Sequence, residues 1–159
     1  MALLEIREVR KTFGGLIALD GMTVVVDEGR IYGLIGPNGA GKTTLFNIAS
    51  GFYKPDAGDV LFAGERVTDL ESHERCTKGL ARTFQIPKMF PEMSVVDNVL
   101  VGALSRTKAV TAARREAEEI VAFLGMAGKQ DALAGSLRVH ELKRLEIAKA
   151  LATKPKLLL

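Results

Sequence analysis

The hydrophobic pattern of the chain changes period partway along. Leu4 and Ile6 alternate with Glu5 and Arg7, the period of two expected of a half-buried strand. Met22–Val26 is a second β-rich run, and Asp27-Glu28-Gly29-Arg30 reads as the turn that closes it. Ile31–Ile35 is a short apolar run, which predicts a strand buried on both faces. Lys42–Ala49 predicts a helix, with Gly51 placed to end it. Lys54–Gly64 combines turn residues with a Val60-Leu61-Phe62 strand. Leu70–Lys78 predicts a helix, Gly79–Phe84 an extended stretch, and Pro87 and Pro91 bracket a loop.

From Ser94 onward the helical period takes over. Ser94 and Asp97 have the spacing of a capping box before a helix over Val95–Leu104. Val110–Leu124 is amphipathic: Val110, Ala113, Ala117, Ile120, Val121 and Leu124 share one face, and Arg114, Arg115, Glu116, Glu118 and Glu119 cover the other. Gly135 interrupts the pattern, Glu141–Thr153 resumes it with Ser136 as a candidate cap, and Lys156–Leu159 opens an apolar strand. Strands in the first half, helices from Ser94 to Thr153 and a returning strand suit an α/β core with a helical insertion.

Composition narrows the class. Of 159 residues, 47% are apolar and 26% charged, a globular mixture rather than a disordered one. The net charge of +3 is spread over both halves and builds no basic patch, so no nucleic-acid partner is expected. Cys76 is the one cysteine, which excludes an intrachain disulfide. The N-terminus has neither a basic segment nor a long apolar one, and no apolar run approaches bilayer length. Any membrane role is therefore expected to be peripheral.

The chemistry lies at Gly36-Pro37-Asn38-Gly39-Ala40-Gly41-Lys42-Thr43, which satisfies G-x-x-x-x-G-K-[ST]. Gly39 and Gly41 permit backbone N–H groups to approach phosphate oxygens through dihedrals that a Cβ would obstruct. A helix starting near Lys42 aims its free N–H groups and positive dipole end at the same anion. Lys42 is expected to reach the β- and γ-phosphates of ATP, the Thr43 hydroxyl to ligate Mg²⁺, and Thr44 to add a phosphate hydrogen bond.

Further segments accompany this loop: Glu5–Phe13, Lys54-Pro55-Asp56-Ala57-Gly58 and Arg82-Thr83-Phe84-Gln85, in that order around it. Their sequence along essentially the whole chain resembles the ATPases of ABC transporters. Gly14–Leu19, Ala81–Gln85 and Phe90–Val99 look most like the branched-chain amino-acid importer ATPases of the LivG type. The resemblance implies an α/β, RecA-like P-loop NTPase core with an inserted helical subdomain, incomplete at the C-terminus: lobe 1–85 and 150–159, subdomain 86–149. It implies that Phe13 stacks on adenine, and that Gln85 meets Mg²⁺ or the attacking water and senses the γ-phosphate. It implies a cytoplasmic ATP hydrolase, peripheral on the inner face of the plasma membrane, that pairs with a second ATP-binding subunit beneath transmembrane permease subunits, the loop from Ile86 to Pro91 lying near a permease coupling helix.

Two departures from the family pattern qualify this. Where the family has a Ser-Gly-Gly-like signature before a helix, this chain reads Leu137-Arg138-Val139-His140-Glu141, which puts side-chain bulk where backbone should approach the partner subunit's nucleotide. Where the family follows an apolar strand with Asp-Glu, Leu157-Leu158-Leu159 has no acidic pair after it. Poor or absent hydrolysis by these 159 residues alone is expected, together with exposed apolar surface near Ile31–Ile35; a fragment of a longer protein is the first explanation and a naturally short subunit the second. A non-catalytic nucleotide-binding subunit and a soluble ABC ATPase not tied to transport are the alternatives in function.

Overall fold

The computed structural model describes every residue, Met1–Leu159. It divides into two compact units, Met1–Arg75 and Cys76–Leu159.

The first unit is built on two long strands, β1 (Ala2–Phe13) and β2 (Leu16–Asp27), which form an antiparallel hairpin. After them come helix α1 (Lys42–Ala49) and strands β3 (Ala57–Phe62) and β4 (Glu65–Arg66), giving an antiparallel sheet of order β2-β1-β3-β4. The alternation at the start of β1 holds: Leu4 and Ile6 are buried and Arg7 is exposed. Beyond Ile6 the parity switches and Val9 is buried. A bulge explains this, because the pairing with β2 shifts register between Ile6 and Val9 and Glu8 has φ 50°. The core of the unit gathers Leu4, Ile6, Val9, Leu19, Val60 and Phe62 from the sheet, and α1 buries Leu45, Ile48 and Ala49.

One expectation is corrected here. Ile31–Ile35 is not a buried strand: residues 31–37 have no regular structure, and Ile31 and Ile35 are 103% and 94% exposed. An apolar run becomes a buried strand only when other strands pair along its edges, and none of the strands pairs with this one. The apolar exposure expected at this segment is thus observed, in place of the strand itself.

Helix α2 (Ser72–Thr77), shorter than the Leu70–Lys78 pattern suggests, contains the division between the units. In the second unit, β5 (Leu80–Ala81) pairs in parallel with β6 (Leu157–Leu158). Between them lie α3 (Val95–Leu104), α4 (Val110–Phe123) and α5 (Val139–Ala152). The α3 cap forms as expected, Ser94 Oγ accepting from Asp97 N at 3.1 Å. The three helices share an apolar core in which Val95, Val99 and Ala103 of α3 meet Ala113, Ala117 and Val121 of α4 and Leu145 and Ala148 of α5. Small residues on α4 permit close helix approach. Ser136 does not cap α5; its hydroxyl donates to Leu133 O at 2.8 Å, and α5 starts after Arg138. No helix is long and apolar enough to cross a membrane.

Candidate functional site

The loop Gly36–Gly41 runs directly into α1, exposed over residues 36–40 and half-buried at Gly41. Gly39 and Gly41 have φ of 85° and 80°, the left-handed region in which a Cβ is strained. Gly41 has a second constraint, since a Cβ there would lie 2.5 Å from Ala18 O and 2.8 Å from Leu19 Cδ2 of β2. The neck of the loop is therefore pressed against the hairpin. Gly41 occupies the N-cap of α1 with no side-chain hydrogen bond. The first-turn N–H groups of a helix have no intrahelical acceptor, so an anion is their natural partner. The Lys42 ammonium donates to Gly36 O at 2.7 Å and Pro37 O at 2.6 Å, which folds the side chain over its own loop. Thr43 is exposed and Thr44 half-buried in the first turn of α1.

Phe13 ends β1 and pairs with Leu16 across the hairpin, two residues from the Ala18 carbonyl that abuts Gly41. Its ring is 40% exposed, meets Tyr53 edge-on at 5.3 Å between centroids, and carries the Lys11 ammonium 5.5 Å from its centroid. Phe13, Lys42 and Thr43 thus belong to one compact unit. Gln85 belongs to the other, exposed in a bend between two tethered stretches. On one side Thr83 donates through both its N–H and its hydroxyl to Leu159 O, at 2.8 and 3.1 Å. On the other, Lys88 N donates to Glu146 Oε2 at 3.1 Å, Lys88 O accepts from the Lys149 ammonium, and buried Asn98 bonds both N–H and C=O of Phe90. Burial pushes the Lys149 ammonium below its ordinary pKa, with Glu146 opposing.

At the start of α5, Val139 is 72% exposed and His140 is also exposed. Glu141 turns back on the helix start, accepting from Arg138 N at 2.8 Å and pairing with Lys129. The Lys129 contact first, and then the Arg138 amide, hold its carboxyl below the usual range.

Sequence reasoning did not single out Arg75, Asn98, Glu146 or Lys149. Arg75 is buried and bonds four backbone carbonyls. An arginine inside a polar helical pattern carries no mark of burial, and Asn98 differs from any helix asparagine only through the loop that wraps it.

A glycine-rich loop with two left-handed glycines, a lysine folded over it and an uncapped helix start define a P-loop of the nucleotide-binding class. The chain belongs to the ABC transporter family: the family model described as "ABC transporter" matches residues 19–159. Among curated relatives it is 37% identical to the high-affinity branched-chain amino acid transport ATP-binding protein BraF of Pseudomonas aeruginosa, over 99% of this chain and 68% of that protein. It is 39% identical to a probable branched-chain amino acid transport ATP-binding protein LivG of Archaeoglobus fulgidus, over 100% of this chain and 66% of that one. Among solved structures, the ADP conformation of an ATP-binding cassette of an ABC transporter superposes with a TM-score of 0.87 at 34% identity, covering 99% of this chain and 67% of that one. The chain thus spans about two thirds of the length of these relatives. Its fold is the α/β P-loop NTPase fold, as the sequence led us to expect.

Proposed function

We propose that this chain is the ATP-binding part of an ABC importer subunit, serving the uptake of branched-chain amino acids. The observation that carries the proposal is the phosphate loop: Gly39 and Gly41 in the left-handed region, an uncapped α1 and the Lys42 ammonium over the loop. In this reading the α1 amides and the loop backbone bind the phosphates of ATP, Lys42 neutralises the β- and γ-phosphates, and Phe13 offers a flat apolar face to adenine. Thr43 would ligate Mg²⁺, which would neutralise the phosphate oxygens, and Gln85 is the second candidate ligand by resemblance; a hydroxyl and an amide oxygen are the hard donors that ion takes. The subunit acts as a dimer beneath permease subunits on the cytoplasmic face, with lobe 1–85 and 150–159 carrying the nucleotide and 86–149 forming the helical subdomain. The names of the relatives support the cargo.

The start of α5 favours a second reading, nucleotide binding without efficient turnover. Val139 and His140 present side chains where a close backbone approach to a second nucleotide would need none, and the Glu141 carboxylate already occupies the helix start. One titration of the 159-residue chain with a fluorescent ATP analogue, followed by a phosphate-release assay, tests both. Saturable binding that Lys42→Ala removes is expected, with little phosphate released. Undiminished binding by Lys42→Ala would overturn the phosphate-loop assignment, and steady turnover abolished by Lys42→Ala would overturn the second reading.

A further inference from the structure

The phosphate loop lies at the front of α1; at the other end of the helix sits a buried cation. Arg75 is 1% exposed. Its Nη1 donates to Ile48 O at 2.7 Å and Ala49 O at 2.9 Å, the last carbonyls of α1. Its Nε donates to Leu70 O and its Nη2 to Thr68 O, both at 3.0 Å. The remaining carbonyls at this helix end are met by the chain itself: Phe46 O accepts from Ser50 N, and Asn47 O accepts from Phe52 N and Tyr53 N. Ile48 O also accepts from Gly51 N at 3.1 Å, so Arg75 is its second donor and completes the hydrogen bonding of the α1 C-terminus at Ala49 O, which would otherwise be a buried unpaired carbonyl. The backbone is shaped around it, since a Cβ on Gly51 would lie 2.9 Å from both Arg75 Nε and Leu70 O.

Four carbonyls need donors, but they do not need a full charge. Burial lowers the guanidinium to about 10, so it remains a cation at neutral pH in an interior that disfavours ions. What sits against it is the negative end of the α1 dipole, and the Asp69 carboxylate also helps to keep it charged. At a rise of about 1.5 Å per residue, the eight residues of α1 put this charge roughly 12 Å behind the phosphate loop. Its field adds there to the positive end of the same helix.

Resting on the nucleotide-binding reading above, we infer that Arg75 is a positioning residue for the phosphate loop, anchoring α1 by its C-terminus and raising the positive potential at its N-terminus. Two consequences separate this from simple structural capping. Affinity depends on the charge at position 75 and not only on its hydrogen bonds. The loss on neutralisation also grows with the charge of the ligand, so ATP loses more than ADP.

The test compares wild type, Arg75→Lys and Arg75→Gln as 159-residue chains, titrated with ATP and ADP, with thermal melts alongside. Arg75→Lys keeps the charge with fewer donors; Arg75→Gln keeps donors without the charge. A unit charge at this range, in a medium between protein and water, acting on several phosphate charges gives roughly a 5- to 10-fold loss of ATP affinity in Arg75→Gln. ADP loses about half as much, and Arg75→Lys stays within about 2-fold of wild type. Should the Arg75 variants melt below the assay temperature, Asn47→Asp supplies the same perturbation from the half-buried last turn of α1, with ATP binding about 3-fold weaker. A folded Arg75→Gln that binds ATP like wild type, equal losses for ATP and ADP, or an Asn47→Asp with unchanged ATP affinity each overturns the inference. A wild-type chain that binds neither nucleotide overturns the function as well, and that result is distinguishable from the others.

Discussion

Replacing Gly41 by alanine perturbs the neck of the phosphate loop in two separable ways, and Gly39→Ala supplies the control for one of them. Both residues have left-handed φ, 80° and 85°. Placing an L-residue there costs about 1–2 kcal/mol. At Gly39 that is the whole cost, because a Cβ would meet nothing within 4 Å. At Gly41 the new methyl would lie 2.5 Å from the Ala18 carbonyl oxygen and 2.8 Å from Leu19 Cδ2. The leucine can move aside. The carbonyl belongs to β2, which is paired with β1 along its length, so relief requires the sheet or α1 to shift. Overpacking of this kind adds about 1–3 kcal/mol. Gly39→Ala is therefore expected to destabilise the first unit by about 1–2 kcal/mol and Gly41→Ala by about 2–5 kcal/mol. The assay is available in the sequence: with 2 tyrosines and no tryptophan, and both tyrosines at 32 and 53, intrinsic fluorescence during urea unfolding reports on the first unit. Equal midpoints for the two variants would refute the close approach of Gly41 to β2.

Asn98→Leu keeps the side-chain size but removes the partner of Phe90 N, 2.8 Å away, while the Phe90 and Ser94 carbonyls lose a second donor and keep Met93 N and Asn98 N; it should destabilise the second unit by about 1–3 kcal/mol with faster amide exchange at Phe90; unchanged exchange there would count against the tether. Asp69 is held down to about 2, first by Lys54 and then by Arg66. A carboxyl lowered in the folded state adds stability that is fully present above its unfolded pKa and is lost as pH falls through the folded one. The stability gap between wild type and Asp69→Asn in urea melts should therefore hold down to about pH 4 and close toward pH 2; a gap independent of pH would contradict the ion pairs.

What the sequence conveyed divides along the range of the interactions involved. The helix over Lys42–Ala49, the Ser94–Asp97 cap and the apolar face of α4 depend on neighbours three or four residues away, and the structure has them where the pattern places them, except that Val110, in the first turn of α4, is exposed instead of joining the buried face. The phosphate loop was legible for the same reason, since its glycines and lysine fall within eight residues. The strand at Ile31–Ile35 was not, because a buried strand depends on partners far along the chain and the apolar pattern records only a capacity to be buried. The bulge at Glu8 was hidden because Glu8 is not a glycine and nothing local marks its positive φ. Arg75 was hidden because its four acceptors come from residues 48, 49, 68 and 70, and only the folded chain brings them to one guanidinium.

The starts of α1 and α5 show how the same physics can leave a helix end open or close it. A helix N-terminus offers unpaired N–H groups and a positive potential. At α1 the cap is Gly41, which has no side chain to accept those hydrogen bonds, and its left-handed backbone turns the loop into the helix start. At α5 the chain answers its own helix: the Glu141 carboxylate accepts from Arg138 N and is neutralised by Lys129, with Val139 and His140 projecting beside it. A carboxylate already seated at that position is an acceptor that a phosphate would have to displace, and it repels one besides. Replacing Glu141 by glutamine removes the repulsion but leaves the hydrogen bond, whereas no change at 141 removes the bulk of Val139 and His140. Under the proposed function, binding at α1 and turnover that draws on the start of α5 are therefore chemically independent, and the first can be complete while the second is impaired.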